Sequence, residues 1–290
     1  MRSLLREYEN FVGLDQIRSE RHLLPDNCGF GACMITGYPH EGAAMFEVAC
    51  GLVEKRLSRP VQSAIVSLGG FPAPRAANYL RSKVFDFNPN YVVLQFGPTD
   101  AQCPIRKRNR TADGSSGRST DRGLKSSSDD LGVSYHSQPA TLLSPLRWEL
   151  ISLIGYLWKI DPITPLSSYI AAIGAMVDDC RSAGITPVVL SPFVYGSRYT
   201  MGNAISYTNA LRERLRAGDG ILVDCAAALA KFPKSSILQH DGFHLSRAGH
   251  NVVGEAIAQA IVLDAKKRFQ RSGSLPRPAL RVVDDEGSWA

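Results

Sequence analysis

The chain has 290 residues, 44% of them hydrophobic and 21% charged, with 33 Lys and Arg against 27 Asp and Glu. That length can bury a core without covalent staples, the composition excludes collagen, coiled coil and a wholly disordered chain, and no run of about 18 apolar residues offers a membrane span. Met1 leads into Arg2, Arg6, Glu7 and Glu9, which is not the apolar stretch of a signal peptide. The six cysteines lack C-x-x-C spacing and read as reduced thiols, so a cytoplasmic location is expected. Leu4, Leu5, Tyr8, Phe11 and Val12 predict an amphipathic lead-in helix. Short apolar runs then predict strands at Cys33–Thr36, Ala64–Leu68, Val92–Phe96, Pro187–Leu190 and Ile221–Val223. Longer patterns predict helices at Ala43–Leu57, Ala73–Phe85, Ser167–Ala183, Asn203–Ala217 and from Ser246 to about Phe269.

Strand–helix alternation of this kind implies a parallel sheet covered on both faces. The expected fold is a flavodoxin-like three-layer α/β/α sandwich with a five-stranded parallel sheet. Ligands of such sheets bind beyond the carboxyl ends of the strands. One stretch breaks the pattern. Residues 104–128 hold seven Arg or Lys against two Asp and no aromatic residue. Without interleaved aromatics they do not read as a nucleic-acid surface. The following residues, 139–162, place Leu146, Leu150, Leu153, Ile154 and Leu157 with Trp148, Tyr156 and Trp158 on a helix apolar over much of its girth. Some of that helix is expected to pack on the body, as core or as a cover over the site, or to dock a partner protein or lipid. The divisions are a lead-in at 1–28, a first domain part at 29–100, an insertion at 101–162, a second domain part at 163–271 and a flexible tail at 272–290.

The strongest local motif is Asp241-Gly242-Phe243-His244, entering the last helix. A carboxylate three residues before a histidine can fix the imidazole tautomer and leave its other nitrogen free as a base. Upstream stand Ser67-Leu68-Gly69-Gly70 after the second strand, Gly97-Pro98-Thr99-Asp100 after the third, and Gly184-Ile185-Thr186-Pro187-Val188-Val189-Leu190-Ser191-Pro192 at the fourth. Tyr207, Asn209 and Leu222-Val223-Asp224 then lead to the final motif. In order and spacing these blocks resemble the SGNH/GDSL hydrolase family over about residues 30–265. The resemblance implies a Ser-His-Asp triad completed by His244 and Asp241, with the Gly69 or Gly70 N–H lining an oxyanion hole. It implies no cofactor.

Two positions depart from the family pattern. Its first block reads G-D-S after the first strand, whereas Gly37-Tyr38-Pro39 sets Pro39 at the nucleophile position. Proline offers neither a nucleophile nor an N–H. The third block has Thr99 in place of Asn, a hydroxyl of shorter reach than an amide. Three readings stay open. His244 oriented by Asp241 activates water or a substrate hydroxyl, with Gly69, Gly70 and Thr99 holding the oxyanion. Alternatively Tyr38, His40, Glu41 or Ser67 replaces the serine. In the third, the site binds a small ligand or partner without turnover. The sequence thus points to a divergent hydrolase or acyltransferase acting on a small ester or acyl substrate, or to an inactive binding protein on that scaffold. A metal site at His240, Asp241, His244 and His250 has poor spacing and is not expected. Cys33, Cys50, Cys180 and Cys225 read as core thiols, and Cys103 borders the site where basic neighbours could lower its pKa.

Overall fold

The computed structural model describes residues 27–36, 44–104, 150, 153–155, 157–158, 160–193, 195, 198–215, 219–239 and 242–272. The lead-in helix and the segments holding Tyr38, Pro39, His40, Glu41, His240 and Asp241 lie outside these residues. Five parallel strands form one sheet: β1 (Asn27–Gly31), β2 (Ser63–Ser67), β3 (Tyr91–Gln95), β4 (Thr186–Leu190) and β5 (Ile221–Val223), in the order β2-β1-β3-β4-β5. The fold is the expected flavodoxin-like three-layer sandwich, and its strand order reverses direction at β1 and β3, where such sheets open a crevice.

Side chains alternate between two apolar layers. On one face Phe30, Val66, Leu94 and Val189 meet α2 (Ala73–Ala77), α3 (Leu80–Val84), α4 (Leu166–Ser182) and α5 (Arg198–Arg214). On the other, Val93, Val188, Leu190 and Val223 meet α1 (Met45–Leu57), α6 (Cys225–Leu229), α7 (Lys234–Ile237) and the long α8 (Arg247–Ser272). Strands β3 and β4 are buried along their whole length, as central parallel strands require.

One predicted strand is corrected. Cys33–Thr36 is a 3-10 turn, and the first strand is the segment before it, Asn27–Gly31. Glycine weakens β propensity, so N-C-G-F-G gives little apolar signal. Both glycines have steric reasons. A Cβ at Gly29 would lie 3.0 Å from the Phe46 ring of α1, and one at Gly31 would lie 2.8 Å from Gln95 O on β3. Close approach of helix and neighbouring strand thus fixes residues that hide the strand from a periodicity reading.

Helical boundaries differ from those predicted, most of all in two helices. The single helix predicted over Ala73–Phe85 is two short helices separated at Asn78 and Tyr79. The helix predicted from Asn203 starts at Arg198, five residues earlier. The last helix, predicted from Ser246, begins at Arg247 and reaches Ser272.

Candidate active site

Backbone hydrogen bonds gather three of the motif blocks at the carboxyl edge of the sheet. Leu68 N–H donates to Gly31 O at 2.9 Å, and Ala32 N–H donates to Gln95 O at 3.1 Å. The ends of β1, β2 and β3 are therefore laced together. The residues directly following β1 are Ala32 and Cys33, with Cys33 opening the 3-10 turn. Tyr38 and Pro39 stand seven and eight positions beyond the end of β1 at Gly31.

In the second block Gly69 has φ +58°, a left-handed conformation suited to glycine. Its N–H reaches Ser67 Oγ at 3.4 Å, the long limit of a hydrogen bond. Ser67, Gly69 and Gly70 are all half-buried at the strand end. Phe71 continues the turn and carries the Arg75 guanidinium 4.0 Å from its ring centroid.

The third block is organised by Asp100, which is fully buried. Its carboxylate accepts the Ala73 N–H at 2.8 Å, the Gly97 N–H at 3.0 Å and the Thr164 hydroxyl at 2.7 Å. One side chain thus joins the start of α2, the turn after β3 and the approach to α4. Burial raises the Asp100 pKa above the ordinary carboxylate range, and these donors offset part of the shift. Gly97, at φ +114°, leaves room for Pro192, which a Cβ there would strike. Thr99 lies buried within this held turn. Beneath it Tyr207 stacks on Tyr169 with ring centroids 4.4 Å apart and donates its hydroxyl to Thr164 O and Asp100 O. Tyr207 is thereby a buried strut and Asp224 a cap, accepting the Ala227 N–H at 2.9 Å and pairing with Arg212.

The His244 loop is pinned from both sides. Leu238 and Leu245 form an antiparallel bridge, Gln239 N–H donates to His244 O at 2.9 Å, and Ser246 N–H donates to Ile237 O at 2.9 Å. Gly242 turns the loop with φ +68°, and the Phe243 ring meets the His244 ring edge-on at 5.2 Å. His244 is half-buried, a setting that keeps an imidazole reachable from solvent. His250, by contrast, is fully buried and its Nδ1 accepts the Met45 N–H at 3.3 Å, at the first turn of α1. That bond fixes the start of α8 against the start of α1, which follows the first-block loop. His250 is a structural pin, and among the described residues no group of three or more His, Cys, Asp or Glu is placed to hold a metal ion.

The cysteines divide as their surroundings dictate. Burial raises the thiol pKa of Cys28 and Cys225, and that of Cys180 to about 12. Cys103 is also shifted upward by burial, opposite in direction to the lowering that its basic sequence neighbours could give.

No family model and no curated protein sequence matches this chain. Solved structures do. An acetylxylan esterase from Geobacillus stearothermophilus superposes with a TM-score of 0.55 at 14% identity, over 82% of this chain and 94% of its own. The lipase/acylhydrolase from Enterococcus faecalis gives 0.51 at 17% identity, over 83% and 95%. A lipolytic protein of the G-D-S-L family from Desulfitobacterium hafniense gives 0.51 at 13% identity, over 81% and 98%. The fold is that of the SGNH/GDSL hydrolases. On this SGNH fold the element that sequence reading misplaced is the first strand, which ends at Gly31 rather than at Thr36. Nothing in the periodicity of N-C-G-F-G marks it as a strand.

Proposed function

We propose that the chain is an SGNH-like ester hydrolase or acyl transferase whose nucleophile is the Cys33 thiol. The observation carrying this reading is the end of β1 at Gly31. A first block of the G-D-S kind, placed directly after the strand, falls on Gly31-Ala32-Cys33 rather than on Gly37-Tyr38-Pro39, with Ala32 where that block has Asp and Cys33 at the nucleophile position. Cysteine keeps the chemistry that proline would abolish.

In this mechanism His244, oriented by Asp241, takes the thiol proton as Cys33 sulfur attacks the carbonyl carbon. The resulting oxyanion is held by the Gly69 or Gly70 N–H and the Thr99 hydroxyl. Collapse breaks the ester C–O bond, and the imidazolium returns its proton to the departing alcohol. Water, or an acceptor hydroxyl, then attacks the thioester with His244 again as base, releasing the acyl product and the thiol. Thr99 hangs on a turn fixed by Asp100, which suits a donor that must be placed before charge develops. Asp100 is thus a positioning residue.

The test compares wild type with Cys33→Ala, Cys33→Ser and His244→Ala on short- and long-chain p-nitrophenyl esters. Loss of about 10³-fold or more in kcat/KM in Cys33→Ala and His244→Ala is expected, with a thioester trapped on Cys33 by mass spectrometry after acid quench. Turnover undiminished in Cys33→Ala would return the mechanism to water activation by His244. Absence of turnover and of any acyl adduct across the panel would favour the binding reading.

A further inference from the structure

Several arginines among the described residues are matched by carboxylates. Arg56 pairs with Glu255, Arg181 and Arg214 with Asp219, and Arg212 with Asp224. Two that lie over aromatic rings are paired as well. Arg81, beside the Phe85 ring, also reaches Asp179, and Arg268, beside the Tyr91 ring, also reaches Asp264. Arg75 departs from this pattern. Its guanidinium lies over the Phe71 ring at 4.0 Å from the centroid, against 5.9 and 5.8 Å in the other two. Among the described residues no carboxylate pairs with it.

The segment that carries this cation is fixed on two sides. Phe71 follows Gly70 directly and its N–H donates to Leu68 O at 3.3 Å, so the ring belongs to the second-block turn. That ring packs on the apolar layer and meets the Tyr79 ring at 5.9 Å. On the other side, Ala73 N–H donates to the Asp100 carboxylate, which also holds the turn carrying Thr99. Pro72 and Pro74 flank Ala73, each with a locked φ. Arg75 thus stands on a stiff segment stitched to both blocks that would hold the oxyanion, and it is half-buried, so its donors stay reachable. A guanidinium over a ring gains attraction without using its N–H donors. Placed before a ligand arrives, those donors suit a planar anion that takes two N–H bonds at once, and a carboxylate has that shape. We propose that Arg75 binds a carboxylate on the substrate, so that the ester turned over is an anionic one. The substrate class rests on the hydrolase reading above, whereas the anion site does not.

The experiment has two arms, each on the full chain, with circular dichroism and a melting curve to match the folds of the variants. Calorimetry titrates adipate and its neutral diamide into wild type and Arg75→Gln. Adipate should bind wild type more tightly than the diamide does, and Arg75→Gln should weaken adipate about tenfold or more. Equal adipate affinity in the two proteins, or no adipate binding to wild type, would overturn the anion site. Turnover compares mono-p-nitrophenyl adipate with p-nitrophenyl hexanoate, and 4-acetoxybenzoate with its methyl ester. The first pair puts the carboxylate on the acyl side and the second on the alcohol side. Wild type should favour the anionic member of at least one pair in kcat/KM. That ratio should fall about tenfold or more in Arg75→Gln, and by less in Arg75→Lys, which keeps the charge without the fork. A wild type without preference, or a preference that Arg75→Gln retains, would overturn the substrate class. Adipate binding that depends on Arg75, with no turnover of any ester, would support the anion site while sinking the hydrolase reading and the substrate class with it.

Discussion

Asp100 sits where water cannot reach it, so charging its carboxyl carries a desolvation cost that the three donors around it only partly offset. Its folded pKa lies above the unfolded one, so the folded chain keeps this proton longer as pH rises. Its contribution to stability is fully present below the ordinary carboxylate range and is lost as pH climbs through the raised value. Urea unfolding of wild type and Asp100→Asn across a pH series should therefore show the wild-type advantage shrinking upward through that window. The variant should also lose activity, because an amide NH₂ cannot accept the Gly97 N–H. A second expectation concerns the thiols. Since the thiolate is the reactive form, limiting iodoacetamide on native protein should label Cys33 first. Cys28, Cys180 and Cys225 should react only after denaturation, which peptide mass mapping would reveal. Single residues of the candidate site were unequally legible in the sequence. Gly69, Gly70, Thr99 and His244 stand in turns marked by glycine and proline, whereas Cys33 sits in an apolar run that imitates a strand.

At the scale of elements, the His244 loop depends on how closely α7 approaches α8. A Cβ at Gly249 would run into the Ile237 carbonyl, which is backbone and cannot swing aside. Gly249→Ala is expected to destabilise the fold by about 1–3 kcal/mol and to depress activity beyond what residual folding explains. Chemical denaturation paired with ester turnover would check both. Strands β3 and β4 were readable because parallel strands buried on two faces must be apolar runs, and the edge strands β2 and β5 because they keep short apolar stretches, A-I-V and I-L-V. β1 was not, because its two glycines serve contacts with Phe46 and Gln95 that no local pattern announces. The insertion helix shows the complementary limit. Its apolar character over much of the girth was plain, but that does not say which residue meets the protein; a Cβ at Gly155 would lie 3.0 Å from Cys103 Sγ and 3.2 Å from the Tyr199 ring.

Among the described residues of the whole molecule, one set of ion pairs braces the rim beside β4 and β5. Arg214 reaches Asp178 and Asp219 at 3.1 and 3.0 Å, and Arg181 reaches Asp219 at 2.6 Å, bracing α4, the end of α5 and the approach to β5. These groups are partly exposed, so solvent screens them. Arg214→Ala should cost only about 0.5–1 kcal/mol, and thermal melts with and without added salt should differ little in either protein. A parallel sheet covered on both faces was legible in the alternation of elements, while its strand order, turning at β1 and β3, is seen only in the hydrogen-bonded pairs.

The chain leaves the third-block turn at Gln102 and returns at Ile163, whose N–H donates to Gln102 O at 2.8 Å; one residue on, Thr164 N–H donates to Asp100 O at 3.1 Å. Departure and return are thus stitched edge to edge, like the two sides of a buttonhole. Whatever length of polypeptide passes through such an opening adds only a slowly growing closure entropy to the domain. Evolution can lengthen, shorten or exchange the 60 or so intervening residues without retuning the carboxylate that holds the turn. The same seam gives an engineer a place to graft foreign peptide beside the reactive edge of the sheet.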